Sequence, residues 1–395
     1  MTTFSVRFLG CKVSQTDAQA LRERLLGDGH TESDSAQIAL VNTCCVTREA
    51  VRKSRQAVSR AARAHRHVYV TGCGANLAGG ALVGVAPNVT VVTRRSEETP
   101  AFVSGELGAI GCVQAEARLE RVRAFVKVQD GCSFSCSFCV VPLVRGHSRS
   151  RPAEAVLSEI RRRVAQGHRE VVLTGINLGC YRDREAGYTL PRLVRAAGEL
   201  PGLVRLRLSS IEVNHVNAEL VSALRETPTL ARHLHVPLQS GDDRVLRAMA
   251  RRYTSDTFLR KLEGLEDFNL TTDVIVGFPG EDGRAFRRTL EVVRRARATK
   301  LHVFPYSPRP GTRTEAEDTV SAEEKKERAA LLRAESQQAC LARWRSKLGS
   351  LDEVLVDRPG RGYGDDYSPW LLEAPVGELA RVRAAGVTEE GILAA

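Results

Sequence analysis

Lysine is scarce in this chain: only eight of its 58 basic residues are lysines, the rest being arginine. Such a bias can reflect genome composition alone, yet the formal net charge of +11 still favours a polyanionic partner, most often nucleic acid. Long apolar runs are missing too. None approaches the roughly 20 residues that a membrane-spanning helix needs, which argues against a helical membrane protein. No basic, apolar and cleavable segment precedes Phe4–Leu9, so the expected location is the cytoplasm. There is no repeat at solenoid spacing and no low-complexity tract. With 43% hydrophobic and 27% charged residues, the composition is that of a globular protein. The 395 residues exceed one ordinary core and suffice for two or three domains.

What is present begins with alternation. Strand-like runs at Ser5–Leu9, Ile38–Asn42, Val68–Thr71 and Val89–Val92 flank helical patterns at Asp17–Leu26 and Thr47–Ala64. This implies an N-terminal α/β domain with a parallel sheet. A longer alternation follows. Its six strand candidates are Ala124–Gln129, Glu170–Ile176, Val204–Ser209, His233–Leu238, Thr272–Gly277 and Lys300–Tyr306. Between them lie helical patterns at Pro152–Gln166, Leu190–Glu199, Asn217–Arg225, Ser255–Leu265 and Gly283–Ala296. Six strand–helix units predict a partial (β/α)6 barrel with its site at the carboxyl ends of the strands. Gly167 suits a helix C-terminus and Pro152 a helix start. Ser321 and Glu324 form a capping box that opens a long helix to about Leu348. The last stretch reads as a small β-module, with strands near Glu353–Val356 and Leu379–Val382 and a glycine-rich turn at Gly360–Asp366.

Ten cysteines in a reducing compartment are better read as metal ligands or buried apolar residues than as disulfides. Cys132, Cys136 and Cys139 make a C-x3-C-x2-C run directly after a strand. Three thiolates can hold three irons of a cubane and leave the fourth open to an exogenous ligand. The rival is a zinc ion on the same cysteines with His147. A second trio is dispersed: Cys11, Cys44 and Cys73 each stand just beyond the carboxyl end of an apolar strand. In a parallel sheet those ends share one edge, where ligands gather, so this trio can hold a second cluster. Cys45 sits beside Cys44 as a competitor. With Cys112, Cys180 and Cys340 it reads as a buried spectator.

At these residues the chain resembles the methylthiotransferase family of radical S-adenosylmethionine enzymes over nearly its whole length. The matching stretches include Leu9-Gly10-Cys11-Lys12-Val13, Asn42-Thr43-Cys44, Thr71-Gly72-Cys73 and Gln129-Asp130-Gly131-Cys132. Further matches are Leu208-Ser209-Ser210-Ile211-Glu212, His233 to Gly241 and Asp273 to Glu281. The resemblance implies an N-terminal cluster domain (1–115), a radical barrel (118–347) and a TRAM-like RNA-binding β-module (348–395). It also implies two 4Fe-4S clusters. The one at Cys132, Cys136 and Cys139 would bind and cleave S-adenosylmethionine, so that a carbon radical forms on the substrate. The one at Cys11, Cys44 and Cys73 would deliver methylated sulfur to that carbon. An electron donor such as flavodoxin or ferredoxin and a sulfur donor are implied with it.

The family acts either on tRNA adenosines next to the anticodon or on an aspartate of a ribosomal protein. The basic balance, and Arg309-Pro310 in the segment Tyr306–Thr312, favour tRNA, because arginine suits phosphate recognition. Lys12-Val13 and the run Asn42 to Thr47 resemble the branch acting on N6-threonylcarbamoyladenosine, with the isopentenyladenosine branch close behind. A metal-bearing RNA-binding protein without catalysis is the reading from another class. For S-adenosylmethionine, Thr174, Gly175, Asn177, Glu212 and Gln239 lie at or just past strand ends, where polar groups either bind the cofactor or pack the barrel. Gly277-Phe278-Pro279-Gly280 is either a turn against the adenine or simply a tight turn, and His235 reads as a satisfied core histidine. Arg48, Arg52, Arg55, Arg63 and Arg66 share one helical face, which either follows an RNA backbone or is merely solvated. Arg145, Arg149 and Arg151 contact substrate or cofactor anions, or form internal salt bridges.

Overall fold

The computed structural model describes residues 2–109 and 122–395. The expected domain boundary at 115–118, and Cys112, lie outside the described residues. Two compact units emerge. The first combines the N-terminal region with Asp130–Arg149 and Ser307–Glu317; the second combines Ser150–Tyr306 with the segment before Asp130 and the C-terminal residues from Asp318.

The first unit is built on a five-stranded, all-parallel sheet. Its strands are β1 (Thr3–Phe8), β2 (Thr31–Glu32), β3 (Ile38–Thr43), β4 (His67–Gly72) and β5 (Val89–Val91), in the order β2-β1-β3-β4-β5. Strand β3 is buried without a break, its run Ile38–Val41 apolar, because both its faces are covered. Ile38 and Leu40 pack with Leu21 and Leu25 of α1 (Lys12–Gly27) and Val103 of α3 (Thr99–Leu107). Ala39 and Val41 pack with Ala57 and Val58 of α2 (Arg48–Ala64) on the other side. Thr47 caps α2, accepting a hydrogen bond from the Ala50 amide at 3.1 Å. Helix α1 begins five residues before the expected start, with Cys11 as an N-cap that makes no side-chain capping bond. Without a Ser, Thr, Asp or Asn there, no sequence signal marked the start. A short helix α4 (Val141–Arg145) follows the C-x3-C-x2-C run within this unit.

The second unit holds six parallel strands in two three-stranded sheets. Glu170–Thr174 lies between Arg205–Leu208 and Arg123–Lys127, and Asn269–Val276 lies between His233–His235 and Lys300–Pro305. Isolated parallel bridges, Leu206 to Leu230 and Ser210 to His235, join the two into one curved wall. The wall is wrapped by α5 (Ala153–Ala165), α6 (Leu190–Gly198), α7 (Ala218–Glu226), α8 (Asp243–Ala248), α9 (Ser255–Leu262), α10 (Gly283–Arg295) and α11 (Ala322–Arg345). One apolar core, running from Val126 and Leu173 to Val274 and Leu332, binds strands to helices. Gly167 ends the α5 region as expected, its amide bonding to Val164 O at 2.9 Å. The fifth strand begins three residues earlier than its apolar run, at Asn269. Its polar start is buried but satisfied: Asn269 Nδ2 donates to Asp366 O at 2.8 Å and Thr272 Oγ1 to Val236 O at 2.7 Å.

The C-terminal residues close a five-stranded barrel of Leu351–Arg358, Arg361–Tyr363, Pro369–Leu371, Ile392–Ala394 and Leu379–Val387 around the fully buried Trp370. The expected turn at Gly360–Asp366 is thereby corrected, since Arg361–Tyr363 is a strand. Gly362 is needed there for space: a Cβ on it would meet Leu355 O at 2.6 Å. The module is tied to the amino-terminal ends of the wall's strands. Arg205 donates to Tyr363 O at 2.7 Å and Glu353 O at 2.8 Å, and Arg207 to Gly364 O at 3.0 Å. Behind them the buried Glu170 pairs with Arg207 at 3.0 Å and with Arg123.

Asp366 completes the anchor, with Arg343 at 2.7 Å and Lys347 at 3.1 Å. Burial alone would raise its pKa, but Lys347 and Arg343 outweigh burial and hold it at about 2. An acid depressed in the folded state stabilises above its unfolded pKa, about 3.9, and loses that contribution as pH falls towards the folded value. We expect this carboxylate to contribute about 2–3 kcal/mol at neutral pH. Denaturant unfolding at pH 7, 4 and 3 of the wild type and Asp366→Asn checks it: the gap between the two should shrink across that window.

Candidate cluster and cofactor sites

The parallel register brings the N-terminal cysteines level. Phe8 pairs with Asn42, Asn42 with Thr71, and Thr43 with Gly72, so Cys11, Cys44 and Cys73 follow strand ends along one edge of the sheet. Each thiol influences the others. Burial pushes Cys73 up to about 12, with Arg145 opposing it and Cys11 and Cys44 adding to it. Burial also raises Cys44, again with a contribution from Cys11. Cys44 and Cys73 share a space in which neither ionises easily by itself. Such a donor set fits a cationic group that holds them as thiolates. Cys45 differs. It is fully buried, in the apolar cluster of Leu77, Val140 and Val144 that also takes in Cys73, and burial raises its thiol far above the ordinary range.

The Cys132–Cys139 loop belongs to the same compact unit. Its three cysteines are half-buried. The Cys132 amide donates to Gly146 O at 3.0 Å, and the Phe134 amide points at Cys132 Sγ at 3.4 Å. Amide bonds to ligating sulfur are one way a protein tunes a cluster. The segment Ser307–Glu317 holds the loop through Thr314, whose hydroxyl donates to Ser137 O at 3.2 Å. Gly131 turns the chain into the loop at φ +68°, and a Cβ there would meet His147 O at 2.1 Å. Gly131→Ala should therefore displace the loop, costing about 1–3 kcal/mol in strain and lowering the iron bound per chain. Anaerobic iron analysis beside a denaturation curve reads both effects.

Arg145, in the helix that follows the second trio, reaches the first. It is buried, with Nε 3.0 Å from Cys73 Sγ, Nη1 3.0 Å from Asp130 Oδ1 and Nη2 2.9 Å from Asp17 Oδ2. Asp130 lies two residues before Cys132, and Asp17 lies in the helix that Cys11 caps. Ser96 donates to Asp130 at 2.6 Å. A cavity of about 290 Å³ opens beside Cys73 and is lined by Asn76, Arg94, Arg95 and Arg149 as well as Arg145. The arginines after the loop form salt bridges within the protein. Arg149 pairs with Glu97 at 3.1 Å and Arg151 with Glu159 at 2.6 Å. Arg309 is also corrected. It is buried and donates to Cys45 O at 3.2 Å and Ser307 Oγ at 2.9 Å, so its fork is spent inside the protein rather than on phosphate. On α2, Arg48, Arg52, Arg55 and Arg63 are exposed, whereas Arg66 lies beyond the helix end.

In the second unit, Thr174 ends its strand, and Gly175 and Asn177 follow. Thr174 Oγ1 and Asn177 Oδ1 are buried without a hydrogen-bond partner among the described residues. Buried polar atoms are rarely left so, and a ligand seated in the site would satisfy them. The Asn177 amide donates to Gln129 Oε1 at 2.8 Å, which fixes the turn. Glu212 is partly occupied, accepting from the Asn214 amide at 3.0 Å. Gln239 sits at a strained φ of +69°, its amide bonding to Asp273 O at 2.8 Å. Orphaned, buried oxygens at strand ends fit the hydroxyls and amine of S-adenosylmethionine. The turn after Gly277 is held internally: the Gly277 amide donates to Glu281 Oε2 at 2.6 Å, and Arg328 pairs with Glu281 at 2.8 Å. Cys180 meets His215 Nε2 at 3.3 Å and Cys340 bonds to Thr299 O at 3.1 Å, as spectators do.

Residues 126–293 match the radical SAM superfamily, and residues 3–93 match an uncharacterized protein family, UPF0004. The chain is 32% identical, over all its length and 96% of the relative's, to the threonylcarbamoyladenosine tRNA methylthiotransferase MtaB of Thermotoga maritima. The MtaB of Bacillus subtilis is 34% identical over 97% of this chain and 94% of its own. The tRNA-2-methylthio-N(6)-dimethylallyladenosine synthase of Paracoccus denitrificans is 35% identical over 99% of this chain and 96% of its own. Among solved structures, the radical S-adenosylmethionine methyltransferase TsrM of Kitasatospora setae shares the fold. The TM-score is 0.57 at 14% identity, over 80% of this chain and 75% of that one. The superfamily carries a 4Fe-4S cluster and S-adenosylmethionine, chemistry of iron and sulfide rather than of zinc. The sequence match covers both the sheet that presents Cys11, Cys44 and Cys73 and the wall of six strands, and on that ground the chain belongs to the methylthiotransferase family of radical S-adenosylmethionine enzymes.

Proposed function

We propose that this enzyme attaches a methylthio group to C2 of N6-threonylcarbamoyladenosine next to the anticodon of tRNA. The observation that carries the reading is the pair of cysteine trios. One stands on the edge of the N-terminal sheet and one in the loop before α4, and Arg145 touches Cys73 from the second loop's own helix. In our reading, Cys132, Cys136 and Cys139 hold the cluster that meets S-adenosylmethionine. Cys11, Cys44 and Cys73, the three cysteines that follow strand ends along one sheet edge, hold a second 4Fe-4S cluster. The bound cofactors supply the radical that opens an unactivated C–H bond, a step beyond any protein base.

The chain's own groups bind and orient. Thr174 Oγ1 and Asn177 Oδ1 would accept hydrogen bonds from S-adenosylmethionine, and Gln129 keeps the Asn177 turn in place. Gly175, Glu212 and Gln239 complete that pocket. Arg145 steadies the Cys73 sulfur with an N–H donor and a positive charge. We further read residues 1–115, 118–347 and 348–395 as cluster domain, radical barrel and TRAM-like RNA-binding module, the last supported by its closed five-stranded form. A flavodoxin- or ferredoxin-like electron donor and a sulfur donor complete the reaction. A cytoplasmic setting agrees with the absence, among the described residues, of any helix long and apolar enough to cross a membrane.

The names of the Thermotoga and Bacillus relatives support the threonylcarbamoyl substrate, and the Paracoccus relative supports the isopentenyl one as second reading. Mass spectrometry of tRNA nucleosides from a deletion strain separates them. Loss of 2-methylthio-N6-threonylcarbamoyladenosine alone is the expected result. Loss of the methylthio-isopentenyl nucleoside instead would favour the second reading, and an unchanged nucleoside pool would rule out both.

A further inference from the structure

We propose that His235, Asp273 and His302 form a site for one divalent transition-metal ion that uses none of the cluster cysteines. The three lie on adjacent parallel strands, with His235 paired to Thr271 and Asp273 to His302. Strand alternation places them on the face opposite Leu234, Leu270, Val274 and Leu301, which enter the helix-covered core. His235 Nε2 lies 3.2 Å, and His302 Nδ1 3.1 Å, from the same Asp273 Oδ1. All three atoms are within 4.8 Å of one another. Ligands bound to one ion at about 2.0–2.2 Å stand roughly 3 Å apart, so the two nitrogens are spaced from the carboxylate oxygen as neighbours in a coordination shell are.

The surroundings have the form that ligating histidines use. Thr271 Oγ1 is 2.9 Å from His235 Nδ1, and His233 Nε2 is 3.1 Å from the same oxygen. With Nε2 turned to an ion, His235 carries its proton on Nδ1 and donates it to Thr271. Such an outer partner fixes the tautomer and the ring plane. His302 is exposed, which gives the ion a way in. Two imidazoles and one carboxylate suit Zn²⁺ or Fe²⁺ and leave positions for an oxygen ligand.

The test uses the cluster-loaded protein under anaerobic conditions, where the cluster thiolates are already occupied. Zn²⁺ is titrated against a fluorescent zinc indicator for the wild type, His302→Gln, Asp273→Asn and Thr271→Val. The wild type should capture one equivalent. Removing a ligand should abolish capture, and Thr271→Val should weaken it by about 10–100-fold. His302→Gln is on an exposed side chain, so its unchanged iron content and circular dichroism would exclude misfolding. No saturable uptake by the wild type, or equal uptake by His302→Gln, would overturn the site and leave a plain hydrogen-bonded network. The readout is independent of tRNA, so neither result bears on the substrate.

Discussion

Arg145→Met should cost the folded protein about 3–5 kcal/mol, the penalty for removing one partner of a buried ion pair and leaving the other charge uncompensated. Two carboxylates are abandoned here, Asp17 at 2.9 Å and Asp130 at 3.0 Å, both nearly as buried as the guanidinium itself. The Cys73 sulfur loses its donor as well. The effect should therefore appear twice, in an anaerobic urea curve and in iron bound at the N-terminal trio. Arg145→Lys restores the charge but not the planar fork that reaches three partners, so it should recover only part of the stability. A loss below about 1 kcal/mol, the range of exposed pairs, would mean that the triad relaxes into water and ties nothing together.

The largest effect on activity is expected from replacing Cys132, Cys136 and Cys139 together with alanine. The protein has no side chain that could itself cleave S-adenosylmethionine reductively, so activity should fall to background rather than by a graded factor. The N-terminal trio is untouched by the change, and iron and sulfide should fall by about half, one cluster of two. The loop is partly exposed and held through the main chain of Ser137 and Cys132, so the fold should survive. Formation of 5′-deoxyadenosine and methionine with dithionite is the measurement, and cleavage retained by the triple variant would contradict the assignment.

How much of this was legible beforehand follows from which residues carry local signals. The strands built round short apolar runs, Ile38–Val41 and Val171–Leu173, are readable because burial on both faces writes itself into composition. Helix α1 was read five residues short because Cys11 occupies the cap without a capping side chain. The strand beginning at Asn269 was read late because its first buried residues are polar and satisfied by distant partners, Asp366 among them. Arg361–Tyr363 looked like a turn because a glycine that lets two backbones approach is indistinguishable, in sequence, from one that bends the chain.

The sites divide in the same way. The C-x3-C-x2-C run has its own spacing and could be seen directly. The dispersed trio needed the sheet register to bring Cys11, Cys44 and Cys73 level. The sequence reads Arg309 as a phosphate binder and leaves Arg145 open between an anion and an internal salt bridge, since charge marks a residue as polar but says nothing of its partner 100 or more residues away. Asp130, set directly before Gly131 and Cys132, was the one sequence hint of the triad. The His235–Asp273–His302 group left no local trace at all, because its members are joined only by pairing between three strands.

The most direct measurement is a single-enzyme reaction. The anaerobically reconstituted protein is given S-adenosylmethionine, dithionite, sulfide as sulfur donor and tRNA carrying either N6-threonylcarbamoyladenosine or isopentenyladenosine, and the digested nucleosides are weighed by mass spectrometry. The account predicts a methylthio group on the threonylcarbamoyl nucleoside, and its loss when Cys11, Cys44 and Cys73 are replaced by alanine although S-adenosylmethionine is still cleaved. Thiolation that persists without those three cysteines would contradict it.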